Sequence, residues 1–213
     1  SVFSHFAGAD DAKFDSFSQK QADYLKAFYD TLIERTSTFQ ETRPMLHLLN
    51  TAGLERFNDT YSFDGGRLGI GLYGYSPSGR TEVRPVATLK TRILQVKRIP
   101  KGEPIGYSCT ISFPEDCDIA IIPIGYADGL LRRFGNGRWS VNIGGVLCPI
   151  IGNICMDACM VNVSGVKAKA GDEVIIFGDN QTPITDMAKV GDTIPYEILT
   201  SISPRVVRVY LRE

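Results

Sequence analysis

Apolar positions change their spacing twice along the chain. Val2-Phe3-Ser4-His5-Phe6 reads as a strand, followed by a polar loop from Gly8 to Phe17. Leu25, Phe28, Tyr29, Leu32 and Ile33 then fall at helical spacing and predict one apolar stripe. Ser18 with Gln21 three residues later has the form of a capping box and marks the predicted start of that helix. Pro44 precedes a short predicted strand, Met45 to Leu49, which ends at Asn50-Thr51; "TAGLERF" reads as helix and "GGRLGIGLYG" as a glycine-punctuated strand. Strand, helix, strand, helix, strand is the rhythm of βα units with parallel strands.

Beyond "SPSGRTEVRP" the pattern shortens. Residues 84–180 carry strand-like runs rich in Val and Ile, with turn signals such as Gly135-Asn136-Gly137, Gly144-Gly145 and Gly171-Asp172 about every ten residues. This predicts an antiparallel β-barrel or sandwich. A short helix over Ile198 to Ile202 and a last strand, "RVVRVYLRE", follow. The division expected is an incomplete α/β part over residues 1–81 and a β domain over 82–213. About three βα units cannot close an eight-stranded barrel, which takes roughly 250 residues. With a first residue, Ser1, that opens straight into a strand, the chain reads as the tail of a larger α/β unit.

Composition narrows the function classes. Of 213 residues, 43% are hydrophobic and 22% charged, with a formal net charge of -1. There is no basic block, so nucleic acid and anionic membrane are not expected partners. No apolar run approaches the ~20 residues that span a bilayer. Five cysteines, an odd number, lie in apolar segments. They read as reduced thiols of a cytoplasmic protein. Two histidines, both far upstream of the cysteines, make no zinc set, and no metal is expected.

Single residues with chemical potential are several. His5 ends the first strand and Asn50-Thr51 the second. Arg67 sits between glycines, beside Gly69 and Ile70, where backbone amides suit phosphate. Two Gly-Tyr pairs, ending at Tyr107 and Tyr126, flank the apolar run before Asp128. Asp157 lies among apolar residues in "ICMDAC" and needs partners or a wet cleft. Each alone reads equally well as a cap, a packed ring or a solvated charge.

Taken in order, "SHFAGAD", "HLLNTAG", "GRLGIGLYG", "GYSCT", "IPIGYADGLLRR", "IIGNICMDACMVNV" and "TIPYEILTSISPRVVRVY" resemble the C-terminal half of the alanine racemase family, over almost the whole chain. The resemblance implies an N-terminal (β/α)8 barrel that binds pyridoxal 5'-phosphate (PLP), followed by a β domain. This chain would hold the last barrel strands and that domain. It implies interconversion of L- and D-alanine, supplying D-alanine for peptidoglycan, by a homodimer whose active site is shared between subunits. His5 would pack near the cofactor ring, Arg67 would face its pyridine nitrogen, and His47, with Asn50 beside it, would orient Arg67. Thr51, standing where the family usually has serine, would join the amides of Gly69 and Ile70 and the Tyr196 hydroxyl around the phosphate. Tyr107 would be one catalytic base. Tyr126, Asp10, Arg132 and Ile194 would line the substrate channel, with Met156 and Asp157 near the substrate.

The implied chemistry suits these residue types. The cofactor delocalises the electrons left when the α-proton departs, and racemisation needs a base on each face. The resemblance makes these a lysine and a tyrosine. The family's lysine motif does not occur here, since Lys13, Lys20 and Lys26 belong to the surface helix region. The expectation is that this chain alone neither racemises alanine nor holds PLP well. Ser108 and Asn153 stand where glycine and arginine are frequent. Two competing readings are a β domain used only for dimerisation or binding, and another PLP enzyme of the same barrel, such as an amino acid decarboxylase.

Overall fold

A computed structural model describes residues 1–211. The chain divides into two compact units, Ser1–Val86 and a second beginning at Ala87.

The first unit pairs two short parallel strands, β1 (Val2–Phe3) and β2 (Leu46–His47), and packs helices beside them. Helix α1 (Asp15–Arg35) buries Ala22, Leu25, Tyr29 and Ile33, spaced three, four and four residues apart. That is one face of a helix turning every 3.6 residues. Phe28, expected in the stripe, points outward and is exposed. The buried face meets Phe6, Leu46, Leu48 and Leu49, and the Tyr29 hydroxyl donates to the Pro44 carbonyl at 2.7 Å. A short helix α2 (Ser37–Glu41) precedes β2, and α3 (Thr51–Tyr61) follows it.

Three expectations for this unit need correction. The first strand is two residues long, not five. Ser18 does not cap α1: it lies one turn inside the helix, fully buried, with no partner for Oγ among the described residues. The chain enters α1 through a 3-10 turn, Ala12–Phe14, capped by Asp11, whose carboxylate accepts from the Lys13 amide at 3.0 Å. Gln21 works elsewhere, accepting from the Ala7 amide and donating to the His5 carbonyl, both at 3.1 Å. It thereby fixes the loop after β1. Finally, "GGRLGIGLYG" is not a strand. It makes one parallel bridge, Leu49 to Gly66, and then turns into a 3-10 helix, Ile70–Tyr73.

The second unit is built on one antiparallel seven-stranded sheet, as the short Val/Ile runs predict. Its strands are β3 (Leu89–Arg92), β4 (Gln95–Ile99), β5 (Cys117–Ile122), β6 (Ser140–Ile143), β7 (Val146–Ile151), β8 (Cys159–Asn162) and β9 (Glu173–Phe177), ordered β3-β9-β6-β7-β8-β5-β4. The two edge strands are consecutive in the chain. Ile93 still bonds toward β9, its amide donating to the Asp172 carbonyl at 3.0 Å, while the Leu94 amide donates to the Ile121 carbonyl of β5 at 2.9 Å. Two residues thus join opposite edges, and the sheet must curl on itself. Gly144 and Gly145, both with positive φ, make the tight turn between β6 and β7. The inside is filled by Val141, Ile150, Val161, Val174 and Ile176, all fully buried.

Helices α4 (Ile184–Val190) and α5 (Pro195–Ser201) follow. The helix expected at Ile198–Ile202 is therefore longer at its start. The expected final strand is absent: residues 205–211 form no strand, and Arg212 and Glu213 lie outside the described residues. No described helix is long and apolar enough to cross a membrane.

Candidate active site

In the first unit the residues singled out from sequence converge on Arg67. Its amide donates to the Leu49 carbonyl at 2.8 Å, which holds the residue beside the end of β2. Nη2 donates to the carbonyls of Ser4 at 2.6 Å and Leu48 at 3.3 Å. Nη1 donates to Nδ1 of His47. The guanidinium also lies 5.0 Å from the centroid of Phe3, whose ring stacks on His47 at 5.3 Å and 10°. A planar cation is held on three sides, and its orientation is determined by backbone.

The electrostatics follow. A guanidinium has no acceptor, so His47 must offer a lone pair at Nδ1 and carry its proton at Nε2. Burial, and then the charge of Arg67, hold the His47 pKa below its ordinary value. His5 lies with Nδ1 3.2 Å from Arg67 Nη2 and Nε2 3.3 Å from Asn50 Nδ2. A neutral imidazole has one acceptor nitrogen, so it accepts from one of these donors. Asn50 also caps α3, its Oδ1 accepting from the Gly53 amide at 2.9 Å, while Nδ2 donates to the Phe6 carbonyl at 3.2 Å.

Thr51, buried at the first turn of α3, accepts from the amides of Gly69 at 3.0 Å and Gly71 at 3.3 Å. Both lone pairs of Oγ1 are taken, which leaves its proton for an acceptor outside. A side chain on Gly71 would collide with Leu68 and Thr51 at 2.8 and 2.9 Å, so glycine is what lets the loop close over the hydroxyl. The Gly69 amide is engaged by Thr51 and reaches a phosphate only by sharing that bond. Ile70 is buried as the 3-10 turn begins. Asp10 stands exposed in the loop before α1. The lysines of this unit lie in the 3-10 turn or on α1, all exposed.

In the second unit Tyr107 is 71% exposed. Its loop is closed at the base by the Ile105 amide on the Ile111 carbonyl at 2.9 Å. The packed-ring reading of Tyr107 therefore fails, while Tyr126 is 38% exposed. Tyr126 and Met156 are brought together by backbone: the amides of Tyr126 and Ala127 donate to the carbonyls of Cys155 at 3.1 Å and Met156 at 3.0 Å. A Cβ on Gly125 would land on those same carbonyl oxygens, so only glycine permits the approach.

Arg205 is the member that sequence reading missed. Nε bonds Asp128 at 2.7 Å and Nη2 bonds Asp157 at 2.6 Å, tying the Tyr126 turn to the Met156 loop. Burial pushes the Asp128 carboxyl up, but the bonds from Arg205 and the Gly125 amide prevail and hold it below the usual carboxylate range. Nothing local marks Arg205, whose partners are 77 and 48 residues away. Of the other three, Arg132 lies apart, while Ile194 and Tyr196 sit together at the start of α5. Arg132 is exposed in a 3-10 turn, Arg132–Phe134; Ile194, exposed, precedes α5; and Tyr196, 42% exposed, sits in the first turn of α5.

Residues 1–77 match the family profile described as alanine racemase, N-terminal domain, and residues 86–210 match alanine racemase, C-terminal domain. The chain is 37% identical to the alanine racemase of Helicobacter pylori strain J99, over 99% of this chain and 57% of that protein. It is similar to the solved alanine racemase of Clostridium difficile 630 in complex with cycloserine, with a TM-score of 0.84 and 35% identity over 96% of this chain and 54% of that one. It is also similar to the alanine racemase of Bartonella henselae with covalently bound pyridoxal phosphate, with a TM-score of 0.83 and 33% identity over 98% and 56%. The chain spans a little over half the length of the relatives it matches, and over that span it shares the fold of the solved alanine racemases. It belongs to the alanine racemase family.

Proposed function

We propose that this chain is the C-terminal part of a PLP-dependent alanine racemase, with residues 1–81 the last portion of its barrel and 82–213 its β domain. The observation that carries the reading is the Tyr107 phenol, exposed on a loop anchored at its base. A phenol that merely packs has no reason to stand in solvent.

The donor set of the first unit fits the cofactor. Thr51 has a spare hydroxyl proton at the N-terminus of α3, where a helix favours anions. Arg67 is a permanently protonated donor already held in place, suited to an unprotonated ring nitrogen. PLP, when bound, supplies the electron sink for the carbon that loses its proton.

The chain's own residues then have separate tasks. Thr51 holds the phosphate. Arg67, oriented by His47, holds the pyridine nitrogen without giving it a proton, which limits drainage of charge into the ring and favours reprotonation. Tyr107 moves a proton at the substrate α-carbon of the neighbouring subunit's site. Tyr126, Met156 and Asp157 shape the approach of alanine. The second base is a lysine outside this chain, so the chain alone does not turn over, and D-alanine for the cell wall comes from the complete dimer.

The test compares this chain with the complete protein. The complete protein racemises L-alanine and shows a cofactor band near the visible; the chain alone does neither. Mixing Tyr107→Phe subunits with subunits lacking the cofactor lysine restores turnover through hybrid dimers. Turnover by the chain alone, or no restoration in the hybrids, contradicts the shared site.

A further inference from the structure

The loop that carries Tyr107 has a fixed base and a strained tip. Ile105 is buried with Cys117, Ile119 and Ile151, and its bond to Ile111 closes the base. At the tip, Gly106, Ser108 and Cys109 have φ of 74°, 66° and 49°. A non-glycine residue in that region costs about 1–2 kcal/mol, so Ser108 and Cys109 hold their conformation only against a restoring force. Within the loop the Cys109 amide closes on the Gly106 carbonyl at 3.2 Å.

Among the described residues, one side chain reaches these residues from outside the loop by a hydrogen bond. Asn153 Nδ2 donates to the Tyr107 carbonyl at 3.1 Å. Its Oδ1 accepts from Asn136 Nδ2 at 3.2 Å, and the Asn136 amide is itself bonded to the Gly152 carbonyl at 2.9 Å. The Asn153 amide group is therefore oriented at one end and engaged with Tyr107 at the other.

We propose that Asn153 is a positioning residue for proton transfer: by fixing the peptide plane after Tyr107 it fixes the direction of the phenol. The inference rests on the reading of Tyr107 as a base. The phenol oxygen lies at the far end of a rigid ring, so a small backbone rotation displaces it by more than the backbone itself moves. Misplacement of a reacting group by about 1 Å costs up to about 10²-fold in rate. Asn153 touches the carbonyl and not the hydroxyl, so it acts on geometry rather than on the charge of the phenol.

The test uses the complete protein with Asn153→Asp, Asn153→Ala and, for comparison, Asn136→Ala and Tyr107→Phe. Both Asn153 variants lower kcat about tenfold. The loss is equal in the two directions, as the equilibrium between enantiomers requires when KM is unchanged. The α-deuterium isotope effect rises for one enantiomer only, the one whose proton Tyr107 removes. Cofactor content, Tm and the pH profile stay as in the unaltered protein. Asn136→Ala, which leaves the donor in place, has a smaller effect of the same kind. Asn153 variants at full rate alongside an inactive Tyr107→Phe overturn the inference and leave the role of Tyr107 standing. Isotope effects that change equally for both enantiomers, or loss of cofactor, overturn it as general damage. A fully active Tyr107→Phe overturns the underlying reading instead.

Discussion

Arg67 donates through Nη1 to Nδ1 of His47, and this bond fixes the imidazole in its neutral form. Its pKa is held below the ordinary 6.5. Above that pH the imidazole is neutral whether the chain is folded or not. As pH falls below it, the unfolded chain takes the proton more readily, so folded-state stability drops through the window down to the folded pKa. Nitrogen-15 NMR should show the Nε2-protonated tautomer, with a titration midpoint below 6.5. A midpoint above that value contradicts the bond.

Thr51 is predicted to matter through its hydroxyl alone. Thr51→Val keeps the shape but removes the acceptor of the Gly69 and Gly71 amides, each such hydrogen bond being worth about 0.5–1.5 kcal/mol. It also removes the proton offered to phosphate, so PLP binding weakens about tenfold, the loss of one hydrogen bond to a charged group. Thr51→Ser retains both functions. Urea unfolding and cofactor titration of the three proteins check this.

Gly125→Ala should disrupt the contact between the Tyr126 turn and the Met156 loop, because its Cβ would meet two backbone oxygens that cannot swing aside. A loss of at least about 2 kcal/mol is expected, read by chemical denaturation. Gly65→Ala is the control: like Gly125 it has no left-handed φ, but a Cβ there meets open space. Equal losses at the two positions would contradict the collision.

Arg205→Ala should release Asp128. The Asp128 carboxyl is held below its usual 3.8, so its stabilising contribution is present above that pH and is lost as pH falls through the folded pKa. Without Arg205 the depression shrinks, and Tm should fall less steeply between neutral and acidic pH. Arg205→Lys supplies charge without the two-pronged reach and should lie between. An unchanged acid limb in Arg205→Ala contradicts the link.

What was legible in the sequence depended on how local its cause was. The α1 stripe of Leu25, Tyr29 and Ile33 and the Gly144-Gly145 turn depend on spacing or on single residues, and both emerged. The Ser18 cap misled because a serine followed by a glutamine three residues on fits a helix interior as well as its start. Here the helix begins a turn earlier, from Asp15. "GGRLGIGLYG" has strand composition, but its backbone amides go to Leu49 and Thr51, a tertiary choice. In the second unit the convergence of Asp128, Asp157 and Arg205 joins residues far apart in sequence and leaves no local trace. Arg67 was picked out by its glycines, yet the oxygens and nitrogens around it became visible only in three dimensions.

The central claim is that the Tyr107 phenol moves the α-proton, and Tyr107→Phe in the complete protein tests it most directly. The ring is exposed, so removing one oxygen should leave folding and cofactor absorbance intact. Racemisation should fall by about 10²–10⁴-fold, the contribution of a positioned acid–base group. Turnover at the unaltered rate, with PLP still bound, would mean that the phenol is only a surface ring and that another group carries the proton.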